Sequence, residues 1–304
     1  MRAYFNDNIA HTFEDVLDDL WNDPDHVASP RGMEVREIRD CSMQIDDPMQ
    51  NIYTHPVRSS QLKYIAAELL WYFSGTDNPK FIENYASMWK HLHNDDGTVN
   101  SAYGALIFRD RNEHGFTQYE WVIESLKKDK DSRQAFMHFN KPKHQFLENK
   151  DQVCTLQALF HIREDKLHMT LTMRSNDVIY GFMTDWAFFS VMHYHTFLEL
   201  KKTYPELEMG SYTHISHSMH LYERHYDMVK KMVSKDFNMR EAHCEPASLP
   251  LLSETIIEPQ GWINTEGNKY NFLGEIIRGE KPDFKKIKPT QNPLIDWCIE
   301  RLKE

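Results

Sequence analysis

Apolar side chains in the stretch Gln61–Phe73 fall at positions 62, 65, 66, 69, 70 and 73. That three-and-four spacing predicts a helix with one buried stripe. Between Thr155 and Met173 the period drops to two. Leu167, Met169, Leu171 and Met173 alternate with His168, Thr170 and Thr172, and the polar run REDK divides the stretch. The pattern predicts two strands around a tight turn. A long apolar run predicts a helix from Asp185 to about Lys202, and the Asp185 carboxylate suits a helix N-terminus. Further helices are expected around Ser218–Val233 and over Pro293–Leu302. Strands and helices follow no regular βαβ rhythm, so the predicted class is α+β, with residues 1–304 forming one domain.

Composition narrows the function classes. The chain has 304 residues, 40% of them hydrophobic, which supplies a sizeable core and excludes a disordered protein. A net charge of −11 argues against nucleic-acid binding through phosphate neutralisation. The N-terminus lacks the apolar stretch of a signal peptide and no apolar run is long enough to span a bilayer, so no membrane partner is expected. Cys41, Cys154, Cys244 and Cys298 lie far apart with no Cys-x-x-Cys pair. They read as reduced thiols of a cytoplasmic protein. His214, His217 and His220 are spaced i, i+3, i+6 without a carboxylate or thiolate set beside them, so no metal is expected. With 11 glycines and no Gly-rich phosphate loop, any nucleotide would have to be held by side chains.

Polar residues interrupt apolar context in three segments: Asp131-Ser132-Arg133, Arg174-Ser175-Asn176-Asp177, and His220-Leu221-Tyr222 followed by Arg224 and His225. Charged groups at strand ends are often only solvated edges. Four in a row between LHMTLTM and VIYGF are harder to dismiss. Glu68 lies inside the apolar run AAELLWYF. A carboxyl in such surroundings is expected to have a raised pKa and to suit proton transfer.

The chain resembles the thymidylate synthase superfamily, and within it the bacteriophage deoxycytidylate hydroxymethylases. The likeness runs from about residue 12 to 230 in collinear order. It is carried by SPRG at 29–32, AELLWYFSGTDN at 67–78, SAYG at 101–104, DSR at 131–133, CT at 154–155, RSNDVIYGFMTD at 174–185 and SMHLYERH at 218–225. The resemblance implies a large mixed sheet covered by helices, with sheets packing back to back in a homodimer. It implies 5,10-methylenetetrahydrofolate as co-substrate and a pyrimidine nucleoside monophosphate as substrate. By the same resemblance Cys154 is the nucleophile at C6, activated by the Arg174 guanidinium. Arg31, Arg174, Ser175 and Arg133 hold the phosphate, with Arg133 reaching a partner's site. Glu68 orders water and moves protons, and Tyr103 lines the site beside the cysteine. Trp89, Asp177 and Gly181 face the folate, and His220 with Tyr222 binds the sugar 3′-hydroxyl. Residues beyond about 235, including His243, Cys244 and the last helix, match nothing usable.

Departures from the methylating relatives point to the substrate. Asp185 stands where those relatives usually have asparagine. A carboxyl accepts from cytosine N4–H and stabilises a proton at N3, so Asp185 favours dCMP and helps thiolate addition. Thr155 replaces the usual histidine after the cysteine, and Gln134 the usual second arginine after DSR. The sequence ends in IDWCIERLKE, without the short apolar terminus that closes over folate. Access of water would give hydroxymethyl at C5, and exclusion of water would give methyl. Dihydrofolate-forming methylation of dUMP or dCMP, and hydroxymethylation of dUMP or CMP, therefore stay open as alternatives.

Overall fold

The computed structural model describes residues 1–55, 57–58, 61–233, 245–250 and 270–303, with the backbone alone at 54, 245 and 246. His243 and Cys244 lie outside the described residues. In chain order the main elements are β1 (Arg2–Asn6), α1 (Ile9–Asn22), β2 (His26–Ala28), β3 (Val35–Ile45), β4 (Ile52–Thr54), α2 (Leu62–Phe73), α3 (Gln118–Lys128), β5 (Phe136–His138), β6 (Thr155–Arg163), β7 (Lys166–Met173), β8 (Asn176–Asp177), α4 (Phe182–Lys201), β9 (Glu208–Tyr222), α5 (Tyr226–Met232), β10 (Glu245–Ala247), α6 (Asn271–Ile277) and α7 (Pro293–Leu302). The class is α+β with a large mixed sheet. None of the described helices is long and apolar enough to cross a membrane.

The chain divides into two compact units, residues 1–60 with 154–249, and residues 61–153 with 250–304. The first holds strands in the order β1-β3-β9-β7-β6, with β2 on β3 and β8 on β9. Pairing is parallel for β1 with β3 and for β7 with β9, and antiparallel for β3 with β9 and for β6 with β7. Register sorts the side chains onto two faces. Phe160, Met169, Tyr212 and Ile45 form one buried row, and Ala158, Leu171, His214 and Met43 the next. The opposite face carries Leu159, Thr170, Thr213 and Gln44, half-buried, and ends on Phe5, which is 72% exposed.

The predicted hairpin is present, with Glu164 and Asp165 as its two-residue turn, both at positive φ (52° and 57°). This is the backbone handedness that lets a two-residue turn follow the strand twist. The helix expected from Asp185 begins three residues earlier, at Phe182, with Gly181 as its N-cap and Asp185 in the first turn. The cause is the 178–183 segment, whose apolar side chains are largely buried while Asp185 N–H donates to the Gly181 carbonyl (2.9 Å). The helix expected over Ser218–Val233 is corrected further. Residues through Tyr222 belong to β9, and the helix spans only Tyr226–Met232. Here β3 on one edge and β8 on the other supply partners for the backbone, and tertiary pairing overrides local propensity.

The second unit is built on α2, which begins and ends within a residue of its expected bounds, and on α7, which matches its predicted span. Gly104 explains one motif glycine. A Cβ there would lie 1.8 Å from the Tyr72 carbonyl oxygen, so only glycine lets the two backbones approach. Asn292 caps α7, its side chain accepting from Leu294 and Ile295 N–H.

Candidate active site

In the sheet unit the hairpin brings together two residues that stand twenty positions apart. From Arg163 opposite Lys166 to Gln157 opposite Thr172 the register is constant, and Thr155 then pairs with Met173, leaving Leu156 as an extra residue. The bulge shifts alignment by one. Without it Cys154 would face Ser175. With it Cys154 faces Arg174: the Arg174 N–H donates to the Cys154 carbonyl (2.9 Å), and Nη2 of Arg174 lies 3.5 Å from Sγ. A fixed guanidinium at hydrogen-bond distance is the setting that stabilises a thiolate. Cys154 is half-buried, whereas Cys41 and Cys298 are fully buried. Burial pushes the Cys41 thiol up to about 12 and drives that of Cys298 higher still.

The residues after Arg174 pass Ser175, half-buried, into β8, where Asn176 and Asp177 pair with Met219 and His220. Nδ2 of Asn176 donates to Oδ2 of Asp185 (2.7 Å). Desolvation pushes the Asp185 carboxyl up to about 7, against the pull of that hydrogen bond. Asp185 nevertheless keeps part of its surface in solvent. A group crowded by protein yet touching solvent lies on a concave surface. Asp177 accepts from the N–H of Ile179 (2.8 Å) and pairs with Arg224 (3.3 Å), so its carboxylate also shapes the turn into α4. Gly181 has a packing reason: a Cβ would come within 3.0 Å of Asn176 Nδ2 and 3.1 Å of the Asp177 carbonyl. Nδ1 of His220 donates to the Ser218 carbonyl (3.1 Å), and its ring meets Tyr222 edge to face at 4.9 Å. Arg31 is exposed and makes no ion pair among the described residues; its backbone is left-handed (φ 55°), followed by Gly32 at φ 78°.

The helical unit holds a second constellation. Glu68 is 7% exposed on α2, and its Oε1 accepts from the phenols one turn away on either side, Tyr64 (2.8 Å) and Tyr72 (3.3 Å). Trp89 donates its Nε1–H to the Tyr64 oxygen (3.0 Å), completing a chain from indole to phenol to carboxyl. Tyr103 stacks on Tyr72 (5.3 Å) and meets Phe139 edge to face (5.2 Å). Arg133 is exposed and makes no ion pair among the described residues. Sequence reasoning missed Tyr64 and Tyr72, although their i−4 and i+4 spacing from Glu68 was the available signal. It also missed Asn176 as the partner of Asp185, and no local spacing would have revealed that contact.

The three histidines 214, 217 and 220 have separate partners: Tyr212, Asp40 and the Ser218 carbonyl. No metal-holding group of His, Cys, Asp or Glu occurs among the described residues.

A cysteine beside an arginine at the end of a buried hairpin, on a mixed sheet of this order, defines a class, and sequence comparison agrees. The family model described as Thymidylate synthase matches residues 11–246, and the chain belongs to that family. It is a folate-dependent one-carbon transferase, and the family uses methylenetetrahydrofolate as co-substrate. The chain is similar to Deoxycytidylate 5-hydroxymethyltransferase of Enterobacteria phage T2, 29% identical over 229 residues that cover 70% of this chain and 89% of the relative. It is also similar to Deoxyuridylate hydroxymethyltransferase of Bacillus phage SP01, 26% identical over 288 residues, with coverage of 90% and 73%. Thymidylate synthase of Francisella philomiragia subsp. philomiragia is 26% identical over 201 residues, with coverage of 62% and 68%.

Proposed function

We propose that the chain is a deoxycytidylate 5-hydroxymethyltransferase that places a one-carbon unit on C5 of dCMP. The observation that carries this reading is the carboxyl of Asp185, pushed up to about 7 and held by one amide. A group that exchanges a proton near neutrality suits cytosine N3 and N4–H. The thiolate of Cys154 adds to C6, forming a C–S bond while the C5–C6 electron pair becomes nucleophilic at C5. Proton donation from Asp185 toward N3 draws electrons from C6 and assists that addition. Methylenetetrahydrofolate, when bound, supplies the one-carbon unit. C5 then loses its proton as the carbon–nitrogen bond to tetrahydrofolate breaks, which leaves an exocyclic methylene. Water adds its oxygen to that carbon and gives up a proton, and the C–S bond breaks to restore the C5–C6 double bond and the Cys154 thiolate. Glu68, in its chain of phenol and indole, is the group assigned to ordering that water and carrying protons.

Arg174 and Ser175, with the exposed Arg31, are assigned to the substrate phosphate, since guanidinium forks match its oxygens. His220 and Tyr222 are assigned to the sugar 3′-hydroxyl. The chemistry of Asp177 fits the amine-rich edge of a pterin, because among the described residues only Arg224, at 3.3 Å, draws on its Oδ2; Trp89 and Gly181 are assigned to the same side. Arg133, exposed and with no ion pair among the described residues, is assigned to the phosphate of a second copy in a homodimer. The half-buried sheet face ending at Phe5 supports that assembly, and sedimentation of an active monomer would overturn it.

A second reading, hydroxymethylation of dUMP, is favoured by the same carboxyl, because a protonated acid can complement uracil as well. The deciding experiment incubates the protein with methylenetetrahydrofolate and dCMP, dUMP or CMP and weighs the product. A hydroxymethyl product on dCMP, without dihydrofolate in the absorbance trace, is expected. A methyl product with dihydrofolate, or turnover of dUMP or CMP in preference, would overturn the proposal.

A further inference from the structure

A carboxylic acid is nearly symmetric: its proton can sit on either oxygen. With the proton on one oxygen it complements the cytosine edge, donating to N3 and accepting from N4–H. With the proton on the other it complements uracil, accepting from N3–H and donating to O4. Asp185 alone would therefore choose poorly between the two bases.

Asn176 breaks that symmetry. It is 3% exposed, fixed by strand pairing at Met219, and packed against Gly181 so closely that a Cβ there would stand 3.0 Å from its Nδ2. Its Nδ2 donates to Oδ2 of Asp185 at 2.7 Å, and its Oδ1 is buried with no hydrogen-bond partner among the described residues. The outcome does not depend on which way the amide is turned. With nitrogen toward Asp185, Oδ2 accepts and carries no proton. With oxygen toward Asp185, any proton on Oδ2 points at the amide and away from the base. In both orientations Oδ2 cannot hand a proton to the substrate.

We infer that Asn176 is a specificity-determining residue, which confines the base-reading proton of Asp185 to Oδ1 and so fixes which pyrimidine edge the enzyme accepts. This rests on the reading of Asp185 as the group that faces the base. Oδ1 would then lie toward N3, and Oδ2 would accept from both N4–H and Asn176, using its two lone pairs. Asp185 titrates near 7, so a proton is available to be placed at working pH. Tyr212, the titratable neighbour whose own shift registers the Asp185 charge, stays protonated and contributes no competing charge.

The test measures kcat/KM for dCMP and for dUMP on the same preparation and takes their ratio. Asn176→Leu keeps the shape and removes the donor, and is expected to bring the ratio at least tenfold nearer to one. A purely structural role would lower both values alike. Asn176→Ser, whose hydroxyl is one bond too short to reach Oδ2, serves if the leucine variant does not fold, and the same collapse is expected. An unchanged ratio in the folded variant, or a wild-type ratio already within twofold of one, would overturn the inference. Asp185→Asn, measured in parallel, separates the two levels. If it leaves the ratio unmoved, Asp185 does not face the base and the functional reading itself falls. If it moves the ratio while Asn176→Leu does not, only the role of Asn176 falls.

Discussion

The two units differ in how they hold many of their buried polar groups. The sheet unit buries neutral histidines. Desolvation holds His193 down to about 4 and His195 and His214 down to about 3. The helical unit instead pairs charges at half-buried positions. Arg109 bridges Asp77 (2.7 Å) and Asp110 (2.9 Å), and Lys141 adds a second cation to Asp110 (3.0 Å). Burial works against the Asp110 carboxylate, but the hydrogen bonds from Lys141 and Arg109 outweigh it and hold the group below its usual range. The same contrast separates the two candidate carboxyls. Asp185 has one amide donor and titrates near neutrality, while Glu68 is gripped by two phenols. Burial without a matching charge makes a group responsive to pH; burial with donors makes it rigid.

Acid should break this comparison most visibly. A histidine whose folded pKa lies below 6.5 contributes stability above 6.5 and loses it as pH falls toward the folded value. Each such group costs about 1.4 kcal/mol per pH unit within that window. Carboxylates such as Asp110 keep their contribution until pH falls through about 4. Hydrogen exchange corrected for intrinsic rates is therefore expected to show α4 and β9 losing protection between about pH 6.5 and 4.5, while α3 and its surroundings hold. Equal loss in both units would sink the contrast.

Cys154→Ser is expected to lower kcat by about 10³-fold or more, the scale seen when a nucleophile is removed. Cys41→Ala, at an inert buried thiol of the same unit, should leave kcat within a few fold in a product assay. In the helical unit, Gly104→Ala should cost about 3 kcal/mol or more in denaturant unfolding, because a Cβ 1.8 Å from a carbonyl oxygen forces backbone apart. Glu68→Gln is expected to reduce kcat by about 10²-fold with KM little changed. The smallest effect sharpens the contrast between the carboxyls. A raised folded pKa means that Asp185 favours folding least above about pH 7 and its penalty disappears below about pH 4. Asp185→Asn should thus raise the unfolding free energy in denaturant more at pH 8 than at pH 4, by about 1–2 kcal/mol after allowing for its partial exposure.

Periodicity made α2, the β6–β7 hairpin and α7 legible, because each carries its own pattern and a local stop signal. The extent of β9 was not legible. Its residues 218–222 are strand only because two neighbouring strands, far away in sequence, offer them hydrogen bonds. The site followed the same division. Arg174 stands out as a polar break in apolar context and Asp185 as the acid at the head of an apolar run, whereas Cys154 is marked among four cysteines only by the family resemblance. The contact from Asn176 to Asp185 depends on how β8 lies against the start of α4.

The unpaired Leu156 has a further consequence. The hairpin acts as a gauge of fixed length, with the sulfur at one end read off against the guanidinium at the other. A single residue gained or lost on either arm would set the thiol against Ser175 or Met173. Matched changes to both arms would keep the two ends in step. Length variation across 155–173 should accordingly arrive in compensating pairs, since one uncompensated change would part the thiol from the guanidinium and turn the buried row of that arm outward.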